Sequence, residues 1–256
     1  MKHKLFFFIY KILGLILCLI FWDAPYFWWI ILSYLVIYLV VTFSGSYYIH
    51  FNWFINSVNE NKEEGVTFTF DDGPHPKNTA LILDILRKHN IKATFFVIGK
   101  QVEKHPELVV QLFNEGHIIG NHSYSHSNYI PFFKRKKLIN DFKKTDELLY
   151  TLIKKKPNFI RPPFGATSPK YTNLLKKTNY SSIGWSYRSF DTTLKSKTNL
   201  VQNTLNAIDK NKNAILLFHD TKNVTVESLD DILQNLLDNG TKIVNLDESL
   251  NQLPYA

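Results

Sequence analysis

Five short polar segments carry the chemistry of this 256-residue sequence, each following a stretch that reads as a strand. They are Asp71-Asp72-Gly73-Pro74, His122 with His126, Arg161-Pro162-Pro163-Phe164-Gly165, Asp191, and His219-Asp220. In His122-Ser123-Tyr124-Ser125-His126 two imidazoles stand four residues apart. On a helical turn that spacing puts both on one face, within reach of one metal ion. Alone, the pattern is more often a pair of surface histidines, and Asp-Asp after a strand can simply cap a turn that Gly73-Pro74 already explains. Together, one Asp and two His make a facial triad that leaves coordination positions open for water and substrate. A hydrolytic metal site needs such open positions.

Adjacent carboxylates invite a division of labour: one binds the cation, and its neighbour, beside it but not ligated, accepts a proton from the attacking water. His219 follows the apolar run Ala214–Phe218. In the plainer reading it caps that strand and bonds to Asp220; in the functional one it faces the Asp-Asp pair and donates a proton to a leaving group. Arg161 can pair with a surface acid, an interaction typically worth under ~1 kcal/mol. Asp191, from a neighbouring strand, is the natural partner, and a partly buried pair would tune the base.

These segments need elements to position them. Gly65–Phe70, Ala93–Ile98, His117–Gly120, Asn158–Ile160, Ser181–Trp185, Ala214–Phe218 and Lys242–Val244 read as strands. Between them Asn78–His89, Pro106–Glu115, Lys136–Ile153, Pro169–Lys177, Leu200–Asp209 and Val226–Asp238 carry apolar residues at helical spacing. The alternation predicts an α/β fold with a parallel sheet and helices outside it, a distorted barrel of about seven βα units with chemistry on the loops after the strands.

The first 45 residues differ in character. Leu5–Trp22 is apolar except for Lys11, Asp23-Ala24-Pro25 punctuates it, and Tyr26–Phe43 is a second run without charge. A hydrocarbon core of ~30 Å needs about 20 helical residues, so residues 1–45 are expected to be a membrane anchor of two transmembrane helices. One span or a re-entrant segment, and a cleaved signal peptide, are the rival readings. Tyr47, Tyr48, Phe51, Trp53 and Phe54 look like an interfacial aromatic belt, residues 46–63 a juxtamembrane linker, and 64–256 the soluble domain. A hairpin returns the chain to its starting face. Lys2 and Lys4 then favour a cytoplasmic domain, whereas a cell-wall substrate requires the opposite, so neither side is preferred. The single cysteine, Cys18, permits no internal disulfide. The net charge of +8 is spread as +2 over residues 1–56 and +6 over the rest. Lys134-Arg135-Lys136-Lys137 and Lys154-Lys155-Lys156 flank one helix and read as solvated faces, and no motif supports nucleic-acid binding.

Over residues 64–250 the chain resembles the polysaccharide deacetylases, carbohydrate esterase family 4, whose unit is the NodB homology domain. Four of that family's motifs are matched in order: Thr69-Phe70-Asp71-Asp72-Gly73-Pro74, His122 to His126, Arg161 to Gly165, and Leu216-Leu217-Phe218-His219-Asp220. The fourth motif departs, with Asp191-Thr192 where Asp-Trp is common. The resemblance implies that Asp71 is the general base and that Asp72, His122 and His126 hold a divalent metal, Zn2+ or alternatively Co2+, Ni2+ or Mn2+. It further implies that Arg161 orients Asp71, Asp191 tunes His219 or the Arg161 pair, and His219 is the general acid. The Phe164 backbone N–H would help stabilise the oxyanion, with Pro163, Leu216, Leu217 and Thr192 around the substrate. The implied protein is a monomeric hydrolase removing N- or O-acetyl groups from a glycan or amino sugar. Its implied place is a bacterial inner membrane, where it meets membrane lipid through the N-terminal helices and binds no nucleic acid. Deformylation or deacetylation of a lipid-linked sugar and an inactive carbohydrate-binding role are the rivals.

Overall fold

The computed structural model describes residues 2–256. It opens with a helical hairpin, α1 (Lys2–Phe21) and α2 (Phe27–Tyr47). At 1.5 Å per residue, 20 and 21 residues give about 30 Å each, so both are long and apolar enough to cross a bilayer. Unlike a soluble core helix, they leave most of their Leu, Ile and Val side chains exposed. Tyr10 and Tyr34 stack 4.0 Å apart, and each hydroxyl donates to the other's backbone carbonyl. A phenol in hydrocarbon must find its partner within the protein.

The hairpin is fastened to the rest of the chain. His3 Nδ1 lies 2.9 Å from the Trp53 carbonyl. The Thr167 amide donates to the Ser46 carbonyl at 2.9 Å, and Ser46 Oγ donates to the Thr167 carbonyl at 2.7 Å. The expected aromatic belt therefore divides. Trp53 packs edge-on to Phe6 and Phe54 is buried, while Tyr47, Tyr48 and Phe51 stay exposed.

The strands and helices that follow are β1 (Ser57–Val58), β2 (Thr67–Asp71), α3 (Asn78–Lys88), β3 (Thr94–Val97), α4 (Gly99–Lys104), α5 (Pro106–Asn114), β4 (Ile118–Asn121) and α6 (Arg135–Ile153). Then come β5 (Phe159–Ile160), α7 (Pro169–Lys177), β6 (Ser181–Ile183), β7 (Tyr187–Arg188), α8 (Lys197–Lys210), β8 (Ile215–His219), α9 (Asn223–Asp238) and α10 (Leu246–Leu250). The sheet is parallel throughout, in the order β1-β6-β5-β4-β3-β2-β8-β7. Its edges, β1 and β7, do not pair. Residues 184–186 link β6 to β7 across the gap, leaving an open barrel with helices outside, the expected architecture.

Side-chain alternation along each strand sets what faces inward. Phe68, Phe70, Leu216 and Phe218 point out into the core beneath α3 and α9, with Leu83, Leu86, Ile232 and Leu233. Thr69, Asp71, Leu217 and His219 occupy the alternate, inward parity. At the other end Ile215, Phe96, Ile118, Phe159 and Ile183 close the interior against Leu246 and Leu250 of α10.

Five elements differ from the sequence expectation, two of them the short helices α4 and α10, which stand where no helix is expected. Ser57–Val58, inside the expected 46–63 linker, is a strand paired in parallel with β6. Tyr187–Arg188 is a further edge strand. Both are two-residue strands, too short to show a periodic pattern. Lys242–Val244 forms no strand; Ile243 makes only an isolated bridge to Val66 before the chain turns into α10.

Candidate active site

The loops after β2, β4, β5 and β8 converge at the C-terminal rim of the barrel. Asp71 ends β2 and His219 ends β8, and the two are directly opposed in the ladder. They share a small cavity of about 130 Å3 with Asp72, His122, His126, Phe164, Thr192 and Leu217. Glycine is required at Gly73 because any Cβ there would lie 2.0 Å from Asp220 Oδ2. Of nine non-glycine residues with positive φ among the described residues, Asp72, Ser123, His126, Phe164 and Phe190 all stand on loops around this rim. Such conformations cost about 1–3 kcal/mol each and persist where surrounding contacts enforce them.

One such enforced loop corrects the expected helical turn at His122–His126. Ser123 and His126 adopt left-handed conformations (φ 67° and 44°). Asn121 Oδ1 accepts from the Ser123 amide at 2.8 Å, Ser123 Oγ accepts from the His126 amide at 3.1 Å, and Asp141 accepts from the amides of Tyr124 and Ser125. Side chains that satisfy the backbone in this way displace helical bonding. The two imidazoles nevertheless converge, with ring centroids 4.9 Å apart.

Asp72, His122 and His126 each offer a donor atom within 4.8 Å of the others. Asp72 Oδ1 lies 3.2 Å from His126 Nε2 and 3.6 Å from His122 Nε2, yet it is buried and satisfied by no hydrogen bond. An orphaned carboxylate oxygen aimed between two imidazole nitrogens fits a cation better than it fits solvent. His122 Nδ1 donates to the Arg161 carbonyl at 2.8 Å, which leaves the Nε2 lone pair facing the site. Burial, reinforced by His126, drives the His122 pKa down to about 3, so the ring is neutral and competent as a ligand.

Beside this triad the two acid–base candidates have separate supports. Arg161 is fully buried and donates from Nη1 to Asp71 Oδ1 at 2.8 Å and to Thr69 Oγ1 at 2.7 Å. It also donates from Nη2 to the Gly184 carbonyl at 2.7 Å and from Nε to the Ile183 carbonyl at 3.2 Å, and it lies 4.2 Å over the Phe96 ring. Burial raises the Asp71 pKa, against the pull of Arg161 and His219. A neighbouring cation would draw it back down.

Asp191 is therefore not the partner of Arg161, as sequence proximity of the strands suggested; it serves His219. Its Oδ1 lies 2.7 Å from His219 Nδ1, and its Oδ2 accepts from the His219 amide at 2.7 Å and from Thr225 Oγ1 at 2.6 Å. Burial lowers the His219 pKa, but the hydrogen bond and charge of Asp191 outweigh it and hold the ring above its usual value. His219 Nε2 is turned to the site, 4.0 Å from Asp72 Oδ2.

Two expected substrate contacts fall elsewhere. Leu216 has the outward parity and packs in the core with Phe218, so Leu217 alone lines the cavity. Pro163 is buried and does not line it, whereas Phe164 does, its ring 4.5 Å from that of His126. Thr192 stands in the wall as expected. Trp185, Gly165 and Arg188 also line the cavity and were not anticipated. Trp185 follows β6 just as the other site residues follow their strands, which is the signal that could have found it.

Three donors that could hold a cation, between a buried carboxylate and a carboxylate-backed imidazole at the C-terminal rim of a parallel barrel, have the composition of a hydrolytic centre. The chain belongs to the polysaccharide deacetylase family, whose profile matches residues 58–183. A peptidoglycan-N-acetylglucosamine deacetylase of Bacillus cereus is 37% identical over 190 residues, 73% of this chain and 68% of that protein. Among solved structures, the Bc1960 peptidoglycan N-acetylglucosamine deacetylase, in complex with a naphthalenyl N-oxidanyl-benzamide, aligns with a TM-score of 0.73 at 32% identity, covering 78% of this chain and 95% of that one. BA3943 of Bacillus anthracis, described as a pseudoenzyme of the same family, shares the fold with a TM-score of 0.71 at 24% identity, over 78% of this chain and 71% of that one. Family membership thus fixes the fold and the hydrolase class, and the side chains at the rim decide competence.

Proposed function

We propose that this protein is a cation-dependent deacetylase of acetylated amino-sugar units in the bacterial cell envelope, held at a membrane by its helical hairpin. The observation that carries the reading is the orphaned Asp72 Oδ1 between two imidazoles, with Asp71 and His219 on either side of it. Asp72, His122 and His126 would hold the cation, Zn2+ by preference for an Asp/His2 donor set. When bound, it supplies Lewis acidity to the acetyl carbonyl and acidifies the attacking water.

The chain's own groups do the rest. Asp71, fixed by Arg161, takes a proton from the water as its oxygen adds to the acetyl carbon. The Phe164 amide meets the oxyanion that develops. His219, its Nδ1 proton held by Asp191, delivers a proton from Nε2 to the sugar nitrogen as the C–N bond breaks. One water is consumed, and acetate and a free amine leave. Two of the relatives named above are peptidoglycan N-acetylglucosamine deacetylases, which supports an N-acetylated amino sugar as the substrate class.

The test is acetate release by the full-length protein with zinc from N-acetylated chitooligosaccharides, peptidoglycan and acetylated xylan. Chelator-sensitive release that Asp71→Asn abolishes, with metal still bound, is expected. An absence of acetate from every substrate would overturn the reading.

A further inference from the structure

Beside the catalytic cavity lies a larger one of about 820 Å3. One wall comes from the residues that follow the second hairpin helix, including Tyr47, Tyr48 and Asn52, together with Asn59 and Glu60 around β1. Phe164, Trp185 and Arg188 line both cavities, so the two meet there, with Asp71 and His219 at the inner end. The anchor thereby contributes part of the path to the site.

Position limits what this groove can receive. Helix α2 ends at Tyr47 and the groove begins at Tyr47, so no tether separates them. The junction is fastened by the paired Ser46–Thr167 hydrogen bonds and by His3 on the Trp53 carbonyl. If α1 and α2 cross a bilayer, the mouth of the groove sits where hydrocarbon gives way to water, and it stays there. Reaching a polymer strand away from the surface would call for a long flexible linker, and residues 46–57 are instead used in docking.

Charge and chemistry narrow it further. Arg188 stands where the cavities meet, its guanidinium 5.3 Å over the Phe190 ring. Its Nε is buried without a hydrogen-bond partner, and among the described residues it makes no ion pair. A planar guanidinium that lines both cavities and is paired with no carboxylate suits a phosphate oxygen. Exposed Tyr47 and Tyr48 at the mouth have the amphipathic character of interfacial aromatics.

We propose that the substrate is itself a membrane amphiphile: an acetylated amino sugar joined through a phosphate to a lipid chain. The sugar enters along this groove to Asp71, the phosphate rests on Arg188, and the lipid chain remains in the bilayer beside α2. This deepens the deacetylase reading and rests on it, and on the hairpin spanning a bilayer.

The experiment uses full-length protein in lipid nanodiscs with zinc. Acetate release is compared for an isoprenyl-linked N-acetylglucosaminyl phosphate, the same sugar phosphate without its chain, neutral chitotetraose and peptidoglycan. The lipid-linked sugar should be turned over with kcat/KM about tenfold or more above that of its chain-free counterpart. Arg188→Gln should lower the ratio of sugar-phosphate to chitotetraose turnover by about tenfold, the loss of one charge-assisted hydrogen bond. That ratio is internal to each preparation, so partial unfolding does not move it. Equal turnover with and without the chain, faster release from peptidoglycan than from the lipid-linked sugar, or an unmoved ratio in Arg188→Gln would each overturn the proposal while leaving deacetylation intact. Silence on all four substrates, chitotetraose included, would overturn the deacetylase reading beneath it.

Discussion

Replacing Arg161 by Met tests whether the buried guanidinium holds both the base and the barrel interior. Met fills much of the same volume but makes none of the four hydrogen bonds that Arg161 gives to Asp71, Thr69, Ile183 and Gly184. Two buried carbonyls and a carboxylate lose a partner. Breaking a buried ion pair from one side costs about 3–5 kcal/mol. The loss is capped because Asp71, whose pKa burial already raises, can take up a proton and become neutral. For a chain of this size that cost corresponds to roughly a 6–20 °C fall in Tm. The informative measurement is a double-mutant cycle with Asp71→Asn, by thermal unfolding of the full-length protein in detergent. In the Arg161→Met background, Asp71→Asn removes the stranded carboxylate and should cost nothing or restore stability. In the wild-type background it weakens a charge-assisted bond and should cost about 1–3 kcal/mol. Additivity within about 0.5 kcal/mol would refute the claim that the two side chains form one unit.

Asp191→Asn should lower acetate release by about 10^2–10^4-fold, because the amide no longer fixes the Nδ1 proton of His219; kcat should fall far more than KM rises, and a change in KM alone would argue against it. His126→Ala should lose both bound zinc, scored by elemental analysis, and activity, since it removes one of three donors; zinc retained at full stoichiometry would move the cation elsewhere. His117 supplies a pH test away from the site. Burial pushes its pKa down from 6.5 to about 4, and its Nδ1 accepts from the Ala93 amide, so the folded chain holds it neutral. The unfolded chain binds the extra proton between those values. The stability this group contributes is therefore whole above pH 6.5 and lost as pH falls toward 4, about 3 kcal/mol in all. His117→Gln should flatten the Tm profile across that window, and an unchanged slope would exclude His117 as its source.

The elements legible in the sequence were those whose signal is local. Thr67–Asp71 and Ile215–His219 announce themselves as short runs of β-branched, aliphatic and aromatic residues closed by a polar one, and the long helices by their apolar spacing. Ser57–Val58 and Tyr187–Arg188 carry no such signal, since a two-residue edge strand is specified by what it pairs with. The site shows the same division. That Asp71, Asp72, His122, His126 and His219 would meet followed from their places after strands. The residue pattern alone points Arg161 to Asp191, and only the family resemblance pairs it with Asp71, which lies 90 residues away across the barrel interior, a pairing no local pattern encodes. The choice between Leu216 and Leu217 was in fact available: His219 must face inward to act, and the two-residue period then turns Leu217 in and Leu216 out.

Because Asp71 and His219 are rungs of the same ladder between β2 and β8, their spacing is set by interstrand geometry, near 4.8 Å between neighbouring chains. No loop movement can widen or narrow it. The surrounding segments, which carry Trp185, Arg188 and Thr192, are free to drift toward new sugars without moving the two strand ends that hold the acid and the base. Such a layout separates inventing a specificity from keeping a reaction, and it lets one barrel be refitted at its mouth many times over.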